Sequence, residues 1–475
     1  MAEVSLRRYD GTEVSLRAGE LDALRKEIQG ELLLPSLDGR YEQARRVWNG
    51  LIDKRPAVIL ACAGSQDVAA GVRFAARHRL LLSVRGGGHN VSGSALCDGG
   101  LVVDLSPMRR VEVDAQKATV RVEGGALLGD LDRATQAHGL AVPVGLVSAT
   151  GIGGLALHGG LGWLARRHGM TCDNLLSARV VAADGELRTA AAGAEEELLW
   201  ALKGGGGGFG VVSSFEFRAY PVGPRVWLSM PMYPAEKAPE ALHFFQEFMS
   251  GAPDELTGLA IFWRAPSQAP IPESAWGAEV LILAACYSGP PAQGEQAIRP
   301  LREFDRPLAD LSAELPFLEL QQFLDADYPD GQLYYWKSLY LEQLSDQAIR
   351  VLARQAARRP SPLSSVDVWG LGGAVSRVPA SATPFSRRDA PWLVGIEANW
   401  AESGESEANI AWARETFLEL QPFAKGSYLN FAGFAEEGEQ LLRGVFGGNF
   451  ERLRAAKKRF DPQNLFRGGI AVTPL

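Results

Sequence analysis

The chain has 475 residues, 46% of them hydrophobic and 22% charged, and a formal net charge of −8. That length carries two or three domains with cores of their own, and the acidic balance argues against nucleic acid or an anionic membrane as the main partner. No stretch approaches the roughly 20 apolar residues that cross a bilayer, the opening "MAEVSLRRYDGTEVSL" lacks a signal core, and Cys62, Cys97, Cys172 and Cys286 form no CxxC pair; a cytosolic protein without a metal centre is expected.

In chain order, residues 18–50 carry helical periodicity, and strands and helices then alternate. "AVILAC" (57–62) reads as a buried strand, and "SQDVAAGVRFAARHR" (65–79) as a helix opened by a Ser/Asp capping signal. "LLLSV" (80–84), "GLVVDLSPM" (100–108), "RVEVD" (110–114) and "ATVRVEGG" (118–125) read as strands. "LLGDLDRATQAHG" (127–139) reads as a helix ending at Gly139, "LLSARVVAADGELRTA" (175–190) as a hairpin about Asp184-Gly185, "EEELLWALKG" (195–204) as a helix and "FGVVSSFEFRAYPV" (209–222) as a closing strand. The texture changes at "PVGPRV". From 226 to about 424, amphipathic helices (238–251, 345–359) separate the apolar strands 258–265, 278–287, 364–373 and 391–400, which is an α+β pattern with an antiparallel sheet covered by helices on one face. The basic run "RLRAAKKRF" (452–460) reads as a solvated helix face.

Glycine is abundant, with 53 residues, and clusters at "SVRGGGHNVSG" (83–93), "TGIGGLALHGGLGW" (150–163) and "LKGGGGGFGVV" (202–212). Each cluster follows or joins a strand or helix end, where bare backbone N–H groups form anion-binding nests. A phosphate-bearing cofactor is expected. The first cluster fits neither nucleotide motif: "GGGHNVSG" does not match a GxGxxG that opens a helix, and in "GHNVSGS" (88–94) Ser94 stands where a P-loop has lysine.

With "GIGGLALHGGLGWLARRHGMTCDNLLSARVV", "YLNF" and "GGNFERLRAAKKRFDPQNLF", these segments resemble, in order along nearly the whole chain, the flavin-linked oxidases of the berberine-bridge-enzyme type, in particular bacterial ones, within the vanillyl-alcohol-oxidase superfamily. The resemblance implies a two-subdomain PCMH-type FAD-binding domain (1–222), a substrate domain (223–424) and a C-terminal segment (425–475) that returns to the first. It implies that Arg85, Gly86, Gly87, Gly88, Asn90, Val91 and Gly93 form the diphosphate loop and that His89 is joined to the flavin 8α-methyl carbon. A neutral imidazole is a competent nucleophile for that bond. The rest of the implied cofactor set is Val147, Thr150, Gly151, Gly153, Gly154, Gly159, Gly160, Gly162, Cys172, Asn174, Gly210, Val211, Val212, Asn430 and Asn449. Val147 occupies the place of a cysteine that forms a second flavin bond in some members, so one link is expected. Gly208 stands where relatives often have asparagine, and Thr150 where the approach of oxygen is lined.

For the substrate chemistry, the "YxN" segment implies Tyr428 as general base or clamp, with Asn430 on the same face of an extended chain. The family strand that carries an acidic or amide catalytic side chain has Gly395 at that position here, and Glu397 lies on the same face as a substitute. Tyr335 and Trp369 are read as pocket walls or core, and His158 and His168 as structural. The expected activity is oxidation of a small alcohol, sugar or amine by hydride transfer to flavin N5, with molecular oxygen reduced to hydrogen peroxide. A dehydrogenase with poor oxygen reactivity and a flavin-loaded binding protein stay open, as do monomer and homodimer.

Overall fold

The computed structural model describes residues 3–35, 39–433, 438–468 and 471–475. Near the N-terminus a four-stranded sheet has Val58–Ala61, Leu101–Asp104 and Leu82–Arg85 running parallel, with Glu31–Leu33 antiparallel at its edge. The parallel strands read as short continuous apolar runs because both faces are covered. Helix Ser65–His78 makes the crossover and buries Val68, Val72 and Phe74. Among the described residues, the helical expectation for 18–50 holds for Ala18–Glu27 and Arg40–Ala44 alone. Leu32 and Leu33 between them are drawn into the sheet edge, where pairing with Leu60 and Ile59 outweighs local periodicity.

A second, five-stranded antiparallel sheet has the order Leu187–Ala191, Leu175–Val181, Val211–Arg218, Thr119–Glu123, Val111–Asp114. Gly185, at φ 79°, makes its hairpin turn. Residues 225–400 supply a nine-stranded antiparallel sheet in which Ser365–Gly370 lies between Leu256–Arg264 and Trp392–Trp400, and Leu333–Leu341 closes the edge.

The period-two alternation of this sheet positions the site. Val366, Val368, Val394, Ile396, Ala398 and Trp400 pack with Phe245, Leu352 and Trp412 of the helices Ala238–Gly251, Asp346–Ala357 and Ser406–Leu420. The intervening residues, Ser365, Asp367, Trp369, Glu397 and Asn399 among them, face the other way, toward the glycine loops. This is the α+β architecture, helices on one face, that the sequence indicates.

Helices Glu439–Phe446 and Phe450–Phe460 return to the five-stranded sheet through Phe446, Phe450, Leu453 and Phe460. Here the solvated-face reading of 452–460 needs correction. Arg452 and Arg459 do pair at the surface with Glu197 and Glu195. Lys457, however, is fully buried on the face of Leu453 and Phe460, and its Nζ donates to Asp461 Oδ2 (2.7 Å) and to the carbonyls of Gly208 (2.6 Å) and Phe466 (2.7 Å). The ammonium is tolerated because its donors are satisfied, and it ties the third glycine loop to the C-terminal segment. Among the described residues, no helix is long and apolar enough to cross a membrane, and all four cysteines are buried free thiols.

Candidate active site

A cavity of about 500 Å³ runs between the glycine loops and the helix-free face of the nine-stranded sheet. Strand Leu82–Arg85 delivers Gly86, Gly87, Gly88, His89 and Asn90 to its wall. Among the described residues, no acceptor meets the backbone N–H groups of Gly87, Gly88, His89 and Asn90. Asn90 Oδ1 instead takes Ser92 N (3.0 Å), Ser92 Oγ (2.6 Å) and Ser94 N (3.3 Å), which holds the turn open. The second loop presses against the first: a Cβ on Gly151 would lie 2.4 Å from Gly87 N, and one on Gly87 would lie 2.6 Å from Gly151 Cα. Free N–H groups in a side-chain-free cradle suit a diphosphate.

His89 stacks on Trp48 with ring centroids 4.1 Å apart, and Trp48 stacks in turn on Tyr334. Burial drives the imidazole pKa down to about 4, so the ring is neutral, and its Nε2 is buried without a partner. A neutral ring with an orphaned nitrogen, at the cavity wall beside the nest, fits a flavin tether.

The structure sorts the other expected cofactor residues. Val147, Thr150, Gly151, Gly153, Gly154, Gly210, Val211 and Val212 line the cavity, as does Gly208. Arg85 does not: its guanidinium turns back to the Ala44 carbonyl and to Asp104, 3.9 Å away. Val91 packs with Trp48, Tyr334 and Trp336, and Gly93 lies against Ile52. Gly160 and Gly162 are small because Thr171 Oγ1 and the Val144 carbonyl oxygen would stand 2.2 Å and 1.8 Å from a Cβ, and Gly159 makes room for the Tyr428 ring. Cys172 is buried behind the wall with its Sγ 3.7 Å from Asp173 Oδ1. Asn174 bonds the carbonyls of His168 and Met170, and Asn449 those of Ala380 and Thr383. These are roles in shaping the wall rather than lining it.

At the far end, Tyr428 Oη accepts from Gly160 N (2.9 Å) and Asn430 Nδ2 (2.9 Å), and both side chains line the cavity. They meet although Leu429–Phe431 is a 3-10 turn rather than an extended segment. Burial pushes the Tyr428 phenol well above its ordinary range. Glu397 lines the cavity and accepts from Tyr328 Oη at 2.8 Å. Tyr335 needs correction as a wall or site residue. It lies on the helix face, with its hydroxyl 3.1 Å from Arg414 Nε, while Trp336, one residue on and directly across from Glu397, lines the cavity. Trp369 lines the cavity, and so does His158, its ring nitrogen 3.0 Å from the Gly154 carbonyl. His168 stacks on Tyr220.

Four residues escaped sequence reasoning, Trp336 among them, passed over for its neighbour Tyr335. Trp48 lies far from the glycine motifs, and Tyr328 on an irregular segment. Asp367 alone had a signal, as a carboxylate two residues before Trp369 in a strand whose alternate positions are valines. Among the described residues, no group of His, Cys, Asp or Glu has the arrangement of a metal site.

Comparison with known proteins agrees with this geometry. An FAD binding domain family matches residues 56–191, and the berberine and berberine-like family matches 427–469. The chain is 31% identical over 447 residues to the FAD-linked oxidoreductase YgaK of Bacillus subtilis, covering 92% of this chain and 96% of that one. It is 28% identical to the (R)-6-hydroxynicotine oxidase of Paenarthrobacter nicotinovorans, over 94% and 97% of the two chains. The crystal structure of 6-hydroxy-D-nicotine oxidase from Arthrobacter nicotinovorans superposes with a TM-score of 0.84 at 27% identity, over 94% and 98% of the chains. Glycine nest, histidine, and a cavity ending at paired tyrosine and carboxylate side chains thus stand in a chain that belongs to the berberine-bridge-enzyme-like family of FAD-linked oxidoreductases.

Proposed function

We propose that this protein is an oxidase that carries FAD on one covalent bond from His89 and oxidises a small alcohol, sugar or amine, with oxygen reduced to hydrogen peroxide. The observation that carries the reading is the continuity of the cavity, from the N–H nest beside a neutral His89 to Glu397 and Tyr428. The three-segment division at 222 and 424 belongs to the same reading. When bound, the flavin supplies the two-electron acceptor for the substrate hydride at N5.

The roles of the residues follow from their bonds. Tyr428 Oη already accepts two N–H bonds, so its own proton is left to donate into the cavity. It is the clamp on a substrate oxygen or nitrogen. Glu397 is the base: it is the carboxyl at the reacting end, and Tyr328 fixes one of its oxygens. Trp336 and Trp369 bound the substrate space.

Acid precipitation of wild type beside His89→Ala tests the tether. The yellow colour is expected to stay in the wild-type pellet and to leave the variant's. Colour released from wild type would reject the covalent bond. Flavin bleached by substrate that stays bleached in air would reject the oxidase reading. The cradle has its own test. Gly151→Ala drives a methyl group into Gly87 N and parts the two loops, an overpacking that costs about 1–3 kcal/mol. The variant is expected to fold with the wild-type circular dichroism and to purify with most of its flavin lost. Full flavin occupancy would show that the loop contact is not part of the cradle.

A further inference from the structure

We propose that Asp367 is the second half of the acid–base unit, its carboxyl sharing one proton with that of Glu397 above Gly395, and that the pair together receives the substrate proton. This rests on the assignment of Glu397 to the reacting end.

The geometry comes from sheet register. Asp367 pairs across strands with Gly395, and Glu397 with Ser365, so the two acids are diagonal neighbours on the helix-free face, and both line the cavity. Gly395 leaves the space between them open. A Cβ there would stand 3.5 Å from Glu397 Oε1 and 3.6 Å from Asp367 Cβ, so a longer side chain would enter the gap. Each acid is near enough to act on the proton affinity of the other, and Asp367 Oδ1 is buried without a hydrogen-bond partner among the described residues. A contact between two acceptor-only groups requires a proton.

The surroundings leave the pair short of positive charge. Tyr328 donates to Glu397 Oε2, and Asp327 adds a third acid to the wall. The cation facing Asp367 is Arg359, which is already engaged with Glu279 at 2.5 Å. No lysine or arginine is among the described residues that line the cavity. Two carboxylates buried side by side cannot both ionise. Burial raises Asp367 to about 7 and, with the charge of Asp367, lifts Glu397 well above the carboxylate range. At neutral pH the pair therefore holds one proton and one negative charge. In turnover the substrate O–H or N–H bond breaks and its proton moves to the ionised carboxyl, which makes the pair neutral. The two electrons leave with the substrate hydride, and the extra proton passes to water when product departs. The glycine at 395 is then the opening between the two acids.

Infrared difference titration of the holoenzyme reads this without a substrate. The wild type minus Glu397→Gln difference cancels the signal of Asp132, another buried acid raised to about 7. It is expected to show a protonated carboxyl persisting through neutral pH. In Asp367→Asn the midpoint of that signal is expected to fall by about one unit or more, because the amide donates to Glu397 and its negative neighbour is gone. Gly395→Gln, which inserts an amide between two intact acids, is expected to move it the same way, and it stands in should Asp367→Asn misfold. No protonated carboxyl at neutral pH in wild type, or an unmoved midpoint in either variant, would overturn the pair. A confirmed shared proton with unimpaired turnover in Glu397→Gln would leave the shared proton but overturn the pair as receiver of the substrate proton, and with it the role of Glu397.

Discussion

Glu397→Gln is expected to slow anaerobic flavin bleaching by about 10²–10⁴-fold, the contribution of a positioned general base, on whichever alcohol, sugar or cyclic amine bleaches the wild type. The substitution is nearly isosteric and keeps an oxygen for the Tyr328 hydroxyl, which donates at 2.8 Å. What it removes is the capacity to take a proton. The sign of the pH effect follows from the raised affinity of the site for protons, caused by burial and by Asp367. The ionised form is the active one, so the wild-type bleaching rate climbs with pH through the apparent pKa of the pair and falls below it. The variant should lack that limb while retaining the wild-type flavin content. Stopped-flow bleaching across pH measures both features. A variant with the wild-type rate and the wild-type limb would move the base elsewhere, and Tyr428 would be the next residue to test.

The largest effect on stability is expected at Arg388. Its guanidinium grips Asp173 in a two-pronged pair, Nη1 to Oδ2 at 2.7 Å and Nη2 to Oδ1 at 2.6 Å, with the two side chains only 3% and 8% exposed. Nη2 also donates to Thr383 Oγ1 and Nε to the Phe385 carbonyl, while Asp173 takes the backbone N–H of Met170. The pair pins the loop before strand Trp392–Trp400 to the segment that carries Cys172 and Asn174. Removing one partner leaves a buried charge uncompensated, so Arg388→Met should cost about 3–5 kcal/mol. Replacing both by apolar side chains strands no charge, and Arg388→Met with Asp173→Leu should recover much of that loss. Urea unfolding of the two variants and of wild type measures the difference. A single variant as stable as wild type would show that the pair contributes nothing net.

Much of this was legible in the sequence, because the signals are local. Apolar runs at 364–373 and 391–400, set between amphipathic helices, mark strands of a sheet with helices on one face, and those strands are present as Ser365–Gly370 and Trp392–Trp400. Three glycine clusters, each joined to a strand or helix end, mark a backbone that must approach something closely, and all three contribute to the cavity wall. Where the reading went astray, the deciding information was not local. The run 452–460 contains no sign that Lys457 differs from its neighbours. Packing of one helix face, and the carbonyls of Gly208 and Phe466 arriving from distant segments, select that residue for burial. Tyr335 and Trp336 are adjacent aromatics with equal claims on a pocket, and only the register opposite strand Trp392–Trp400 assigns Trp336 to the cavity and Tyr335 to the helix layer. Asp367 and Glu397 are 30 positions apart, and nothing in either strand announces the other. Their placement as diagonal neighbours depends on strand order, which sets Ser365–Gly370 beside Trp392–Trp400, and a glycine at 395 leaves room between them. Periodicity determines which face a side chain takes; which neighbour it meets there is decided by long-range pairing, whose energy is spread over the whole sheet and written in no single segment.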